Sequence, residues 1–178
     1  YYTAVWASTI SEIRLQPATT YSDVLQRINS VLNKRSGLTQ LLNVVIGNAS
    51  LNGGATNKNL TAVKTYLANK GRAAEIKKVL TSLQTDIQRI QKSKHLNKTC
   101  YLNAVSRFKN NSANDPISQV LTEAKHNPEP IRSWLNTIAL SAWKVTLNHT
   151  RSYLNTVWQT IVLPVYHNEI ENRYPIFK

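Results

Sequence analysis

The sequence predicts an all-α fold, an irregular bundle of seven or eight helices with a long central helix at its C-terminal end. Three observations predict it. Glycine is scarce, at 5 in 178 residues, and all but Gly71 stand between positions 37 and 54; helix-forming residues fill most of the rest. Apolar residues recur at spacings of three and four along most of the chain. No stretch alternates apolar and polar residues as a half-buried strand would, and no repeat with a period of roughly 20–50 residues is visible.

The helices follow in order. Residues 2–15 are moderately apolar and stop before Pro17, whose ring disfavours a helical residue just ahead of it. Thr20 with Asp23 forms a capping-box start, after which Tyr21, Val24, Leu25, Ile28, Val31 and Leu32 share one face. Ser36 caps a helix over 38–46 on Leu38, Leu41, Leu42, Val45 and Ile46, with Gly47 as its stop. Residues 48–59 read as a loop, and a subdivision of the chain could fall near 48–58. A short helix over 60–69 is expected to end at Gly71, and the next to run over 73–92 on Ile76, Val79, Leu80, Leu83, Ile87 and Ile90. Residues 96–108 carry Cys100, Ala104, Val105 and Phe108 on an apolar side, before the Asn-rich turn 110–114. Asp115-Pro116 is an N-cap followed by proline at the first helical position, and the prolines at 128 and 130 introduce the last helix.

That last helix is apolar twice over. One stripe is Ile131, Trp134, Leu135, Ile138, Ala142 and Val145; a second is Trp143, Leu147, Leu154, Trp158 and Ile161. A helix apolar on two faces is expected to lie buried between neighbours and to form the axis of the bundle. Pro164 is expected to end or kink it.

Composition excludes several classes of function. A single cysteine, Cys100, permits no intrachain disulfide and no cysteine zinc site. No apolar run reaches the roughly 20 residues that span a bilayer. The chain lacks methionine altogether, so it is read as one helical domain, 1–178, cut from a longer protein, with any membrane anchor outside it. Phosphate-binding glycine loops, the zinc-protease helix and the serine nucleophile elbow are absent. The four histidines lie in different segments and are not read as metal ligands, while Glu169 and Glu171 are two apart and point to different sides of a helix. No enzyme activity and no cofactor are expected.

Charge is the strongest chemical signal. The chain holds 22 Lys+Arg against 9 Asp+Glu, a formal net charge of +13. Most of the excess falls between Lys58 and Lys109, where Lys64, Lys70, Arg72, Lys77, Lys78, Arg89, Lys92, Lys94 and Lys98 form a candidate basic interaction surface. Such a surface suits an acidic protein, a lipid headgroup layer or an anionic polymer. Nucleic acid is not expected, because only Tyr66, Tyr101 and Phe108 could stack on bases there.

The C-terminal sequence carries a resemblance. Trp158-Gln159, then Val162-Leu163-Pro164-Val165-Tyr166, then Asn172-Arg173-Tyr174-Pro175 resembles the close of the helical periplasmic region in the IcmF/TssM family of bacterial secretion proteins. Leu121 to Leu135, with Ala124, Pro128, Pro130 and Trp134, resembles the family pattern just upstream, and Ser36-Gly37-Leu38 followed by Leu41-Leu42 and Asn48 resembles an earlier segment. Ile176 departs from the family, which usually has phenylalanine directly after the proline. The resemblance implies a periplasmic scaffold belonging to an inner-membrane protein of a type VI or type IVB (Dot/Icm) secretion complex. It implies a DotU/TssL-type membrane protein as partner and, in type VI, a TssJ-type lipoprotein docking on regions absent from this sequence. Trp158, Tyr166, Arg173 and Tyr174 are read as packing residues, with Arg173 bonding carbonyls where the last helix ends.

Overall fold

The computed structural model describes residues 12–33, 58–110 and 115–171, with positions 8, 40, 42–44 and 47. The expected helices over 2–15 and 38–46, the loop over 48–59 with its subdivision near 48–58 and the turn over 110–114 lie largely outside these residues. Where they are described, residues 13–15 are not helical, Lys58 and Asn59 already belong to a helix, and so does Asn110. Most of the described residues are helical, with no strand among them.

In chain order the helices are α1 (Tyr21–Leu32), α2 (Lys58–Ala68), α3 (Lys70–Gln91), α4 (Leu96–Asn110), α5 (Pro116–Lys125) and α6 (Ile131–Val157). Beyond α6 the chain stays helical through π-helical Trp158–Val162, one α-turn at Leu163–Val165 and π-helical Tyr166–Glu171. We call this continuation the arm.

Caps set several starts. Thr20 Oγ1 accepts from the Asp23 amide at 3.1 Å while the Asp23 carboxylate accepts from the Thr20 amide at 3.1 Å, a complete capping box. Asp115 accepts from the Ser118 amide at 2.9 Å with Pro116 at the first position of α5. Between α2 and α3 the break is a single residue. Asn69 accepts from the amides of Gly71 and Arg72, so Gly71 lies inside the first turn of α3 and does not stop α2 as its sequence position suggests.

The core draws chiefly on four helices, with Val63 of α2 and Cys100 of α4 joining them. Val24 and Ile28 of α1, Leu80, Leu83 and Ile87 of α3, Val120 and Ala124 of α5, and Leu135, Ile138, Ala142 and Val145 of α6 belong to one buried cluster. Each fully buried aliphatic side chain contributes about 1.5–3 kcal/mol through removal from water. α6 packs along α4 and α5 and touches α1, and α5 also lies against α3. The 13–18 segment is fastened to α6: Trp134 Nε1 donates to the Ile13 carbonyl at 2.9 Å, and the Ala18 amide donates to Ser141 Oγ at 3.0 Å.

The last helix is therefore central in its first half only. Its first apolar stripe is buried as expected, but the second is not. Trp143 is partly buried, whereas Leu147, Leu154, Trp158 and Ile161 are exposed. Among the described residues, the turns beyond Val157 pack chiefly on one another and on the end of α6. Pro164 does not end the helix, which runs on to Glu171. The turns on either side of the proline are π-helical, and the Leu163 amide bonds back to the Trp158 carbonyl in the i→i+5 pattern. Such wide turns are one way a helix accommodates a residue that lacks an amide donor.

Candidate functional site

The basic surface is built on α3. Ile76, Leu80, Leu83, Ile87 and Ile90 face the core, which by helical period turns Lys78, Arg89 and Lys92 outward, with Lys77 beside them. All four are exposed, as are Lys94 in the following turn and Lys98 on α4. Arg72 reaches Glu123 of α5 at 3.8 Å, and Arg89 is paired with Asp86 at 2.6 Å. These two guanidiniums are partly engaged within the chain. Lys64 is exposed on α2, and of Lys70 only the backbone is described.

A cleft of about 240 Å³ lies where α3, α4, α5 and α6 converge, lined by Asp86, Asn103, Arg107, Asp115 and Trp143 among others. Arg107 and Asp115 among its charged groups hold helices together, while Asp86 pairs with Arg89 of its own helix. Arg107 sits 4.5 Å from the Trp143 ring centroid and 3.1 Å from Asp115, which also caps α5. Phe108 packs edge-on against the same Trp143 ring yet is 75% exposed, in contrast to the buried Cys100 and Ala104 of its helix.

A polar joint inside the bundle had no signal in the sequence. Tyr21 Oη lies 2.8 Å from Thr146 Oγ1 and 3.3 Å from Cys100 Sγ, and its ring stacks on His149. His149 Nδ1 in turn meets Asn97 Oδ1 at 2.7 Å. The joint ties α1, α4 and α6 through residues more than 50 positions apart. Burial pushes the Tyr21 phenol well above its ordinary range, and the Cys100 contact adds to that. Burial likewise raises the Cys100 thiol, against the lowering effect of the Tyr21 bond, leaving a protonated, enclosed sulfur and no nucleophile.

The arm presents the remaining surface. Trp158 is 58% exposed, and Tyr166, with Ile161, Val162, Val165 and Ile170, is exposed too. This overturns the reading of Trp158 and Tyr166 as packing residues: their aromatic area faces solvent. Gln159 and Pro164 are exposed beside them. Trp134 is a core residue, as are Leu42, Ala124 and Leu135 of the upstream segments. Arg173, Tyr174 and Pro175 lie outside the described residues. His167 and Glu171 form an i, i+4 pair on the arm, a spacing that the sequence reading missed. Among the described residues there is no cluster of three metal-ligating side chains, and no helix is long and apolar enough to cross a membrane.

No family model and no curated protein matches the chain. Among solved structures, a chain of a type VI secretion system membrane core complex matches with a TM-score of 0.70 and 21% sequence identity. The alignment covers 97% of this chain and 39% of that one. At this identity the likeness is one of fold, and the present chain spans well under half of the matched protein.

Proposed function

We infer that the chain is a non-enzymatic scaffold domain of an envelope-spanning bacterial secretion complex, the periplasmic helical part of an IcmF/TssM-like inner-membrane protein. The observation that carries this reading is the fold likeness to a membrane core complex chain over 97% of the present one. The Trp158 to Tyr166 sequence block supports it independently, since it resembles the family in the segment that forms the arm. The chemistry of the surfaces fits a scaffold: Arg107 and Asp115 in the interhelical cleft join helices, and the largest exposed features suit macromolecular contact. The partners are then other complex components, a DotU/TssL-type membrane protein first, with a TssJ-type lipoprotein reached through regions beyond this sequence.

The test is affinity purification of the full-length protein from its native envelope followed by mass spectrometry. Recovery of a DotU/TssL-type protein is expected, and the accompanying components separate type VI from type IVB. Recovery of ribosomal proteins or nucleic acid alone would overturn the assignment.

A second reading has one observation in its favour, the outward row of Lys77, Lys78, Arg89 and Lys92 on α3. In that reading the domain holds an anionic polymer or membrane surface. Binding to anionic vesicles that falls steeply between low and physiological salt, and is lost on changing these four residues to glutamine, would favour it.

A further inference from the structure

An open groove of about 380 Å³ runs between the outward side of α3 and Pro116 at the start of α5, lined on α3 by Thr81, Ser82, Thr85, Asp86 and Arg89. On the same helix and its C-cap, Lys78, Ser82, Thr85, Arg89 and Lys92 follow one another at spacings of four, three, four and three. That spacing sets the five in one line, opposite the face that buries Ile76, Leu80, Leu83 and Ile87. All five are exposed. The line reads cation, hydroxyl, hydroxyl, cation, cation, and it spans about 21 Å at about 1.5 Å per residue.

The line combines positive charge with hydrogen-bonding groups. Between Lys70 and Lys94 seven basic residues stand against two acidic ones, Glu75 and Asp86. Asp86 is paired with Arg89, Asp115 beside Pro116 is paired with Arg107, and Glu75 lies nearly a turn beyond Lys78. Lys78 and Lys92, at the two ends, have no carboxylate partner among the described residues. Thr85 donates its hydroxyl to the Thr81 carbonyl at 2.9 Å, which leaves the Thr85 oxygen as an acceptor at the surface. The Asp86–Arg89 pair sets an acceptor beside several donors. Sugar hydroxyls both donate and accept, so they match this lining, whereas a dense row of phosphates would be repelled by the Asp86 carboxylate. A lipid layer fits less well, because α3 exposes no large apolar side chain to enter the interface. We propose that the line holds a linear acidic polysaccharide, its carboxylates on Lys78, Arg89 and Lys92 and its hydroxyls on Ser82, Thr85 and Asp86. The proposal deepens the reading of α3 as a surface for anions and rests on it.

Calorimetric titration of the protein with oligogalacturonate, a chain of uronic acids, tests it. Binding is expected, tightening with oligomer length until the chain spans about 21 Å and weakening as salt rises. The Lys78→Gln, Lys92→Gln double variant should weaken it about tenfold, each exposed ion pair taken in the upper part of its usual range. Wild-type protein should prefer oligogalacturonate to polyglutamate of equal charge, and Ser82→Leu, which fills the groove without changing charge, should remove that preference. The three substituted residues are exposed, so unchanged melting temperatures show that the variants remain folded. Equal binding of polyglutamate by the wild type, or an unaltered preference in Ser82→Leu, overturns the proposal. Vesicles containing phosphatidylglycerol separate the two levels of the argument. If they bind through Lys78 and Lys92 while oligogalacturonate does not, the polysaccharide is overturned and the anion-holding surface stands; if neither binds, both are overturned.

Discussion

The two halves of one helix differ in what surrounds them more than in what they are made of. Between Ile131 and Thr146, α6 buries Trp134, Leu135, Ile138, Ala142 and Val145 against α1, α4 and α5. Between Leu154 and Ile170 the same continuous helix carries as rich an apolar set and leaves it in water. The difference teaches that apolar spacing identifies a face, and that burial is decided by whether another element arrives to cover it. The covered half is the domain's core, and the uncovered half is its most conspicuous surface.

Substitutions in the two halves should separate them, and the largest effect belongs to the covered half. Trp134→Ala removes a buried ring and its bond to the Ile13 carbonyl; we expect a loss of about 3–5 kcal/mol in urea unfolding. Next is the polar joint that anchors this half. Tyr21→Phe leaves Thr146 and Cys100 without their phenol partner and should cost about 1–2 kcal/mol by the same assay. At the periphery of the core, Thr20→Ala removes the capping box of α1 and should cost about 1 kcal/mol. The smallest effect belongs to the arm: Trp158→Ala should change stability by less than about 0.5 kcal/mol. A loss several times larger would mean that the arm folds back onto the bundle.

The joint also makes the covered half sensitive to alkali. Burial raises both the Tyr21 phenol and the Cys100 thiol, so folding favours their neutral forms. Their contribution is whole below the unfolded thiol pKa of about 8.5 and is lost as pH rises toward the folded values. The urea midpoint should therefore fall as pH rises above that value, and fall less steeply in Cys100→Ala. An identical pH dependence in the two proteins would remove Cys100 from the account.

How much of this was legible in the sequence depends on the range of the interaction. Local signals were readable: the Thr20–Asp23 box, the Asp115-Pro116 start of α5 and the first stripe of α6 each need only a few neighbouring residues. The outward basic row on α3 followed from its apolar period in the same way. Asn69 escaped notice because Gly71, two residues on, is the more conventional stop. Of the two outcomes expected at Pro164, an end to the helix does not occur, because the rule that proline stops a helix assumes α geometry and the flanking turns are wider. Trp158 misled for the reason the comparison exposes, since nothing in its local pattern tells whether a partner helix is present. The Tyr21, Cys100, Thr146, His149 and Asn97 joint joins three distant helices, and no spacing along the chain announces it.

The central claim is that one helix has two regimes, and amide hydrogen exchange read residue by residue along 131–171 at low protein concentration tests it most directly. The account predicts strong protection through Thr146, a steep fall across 147–157 and rapid exchange in the arm. Protection that stays uniform from Ile131 to Glu171 would contradict it, because the arm would then be held as firmly as the core.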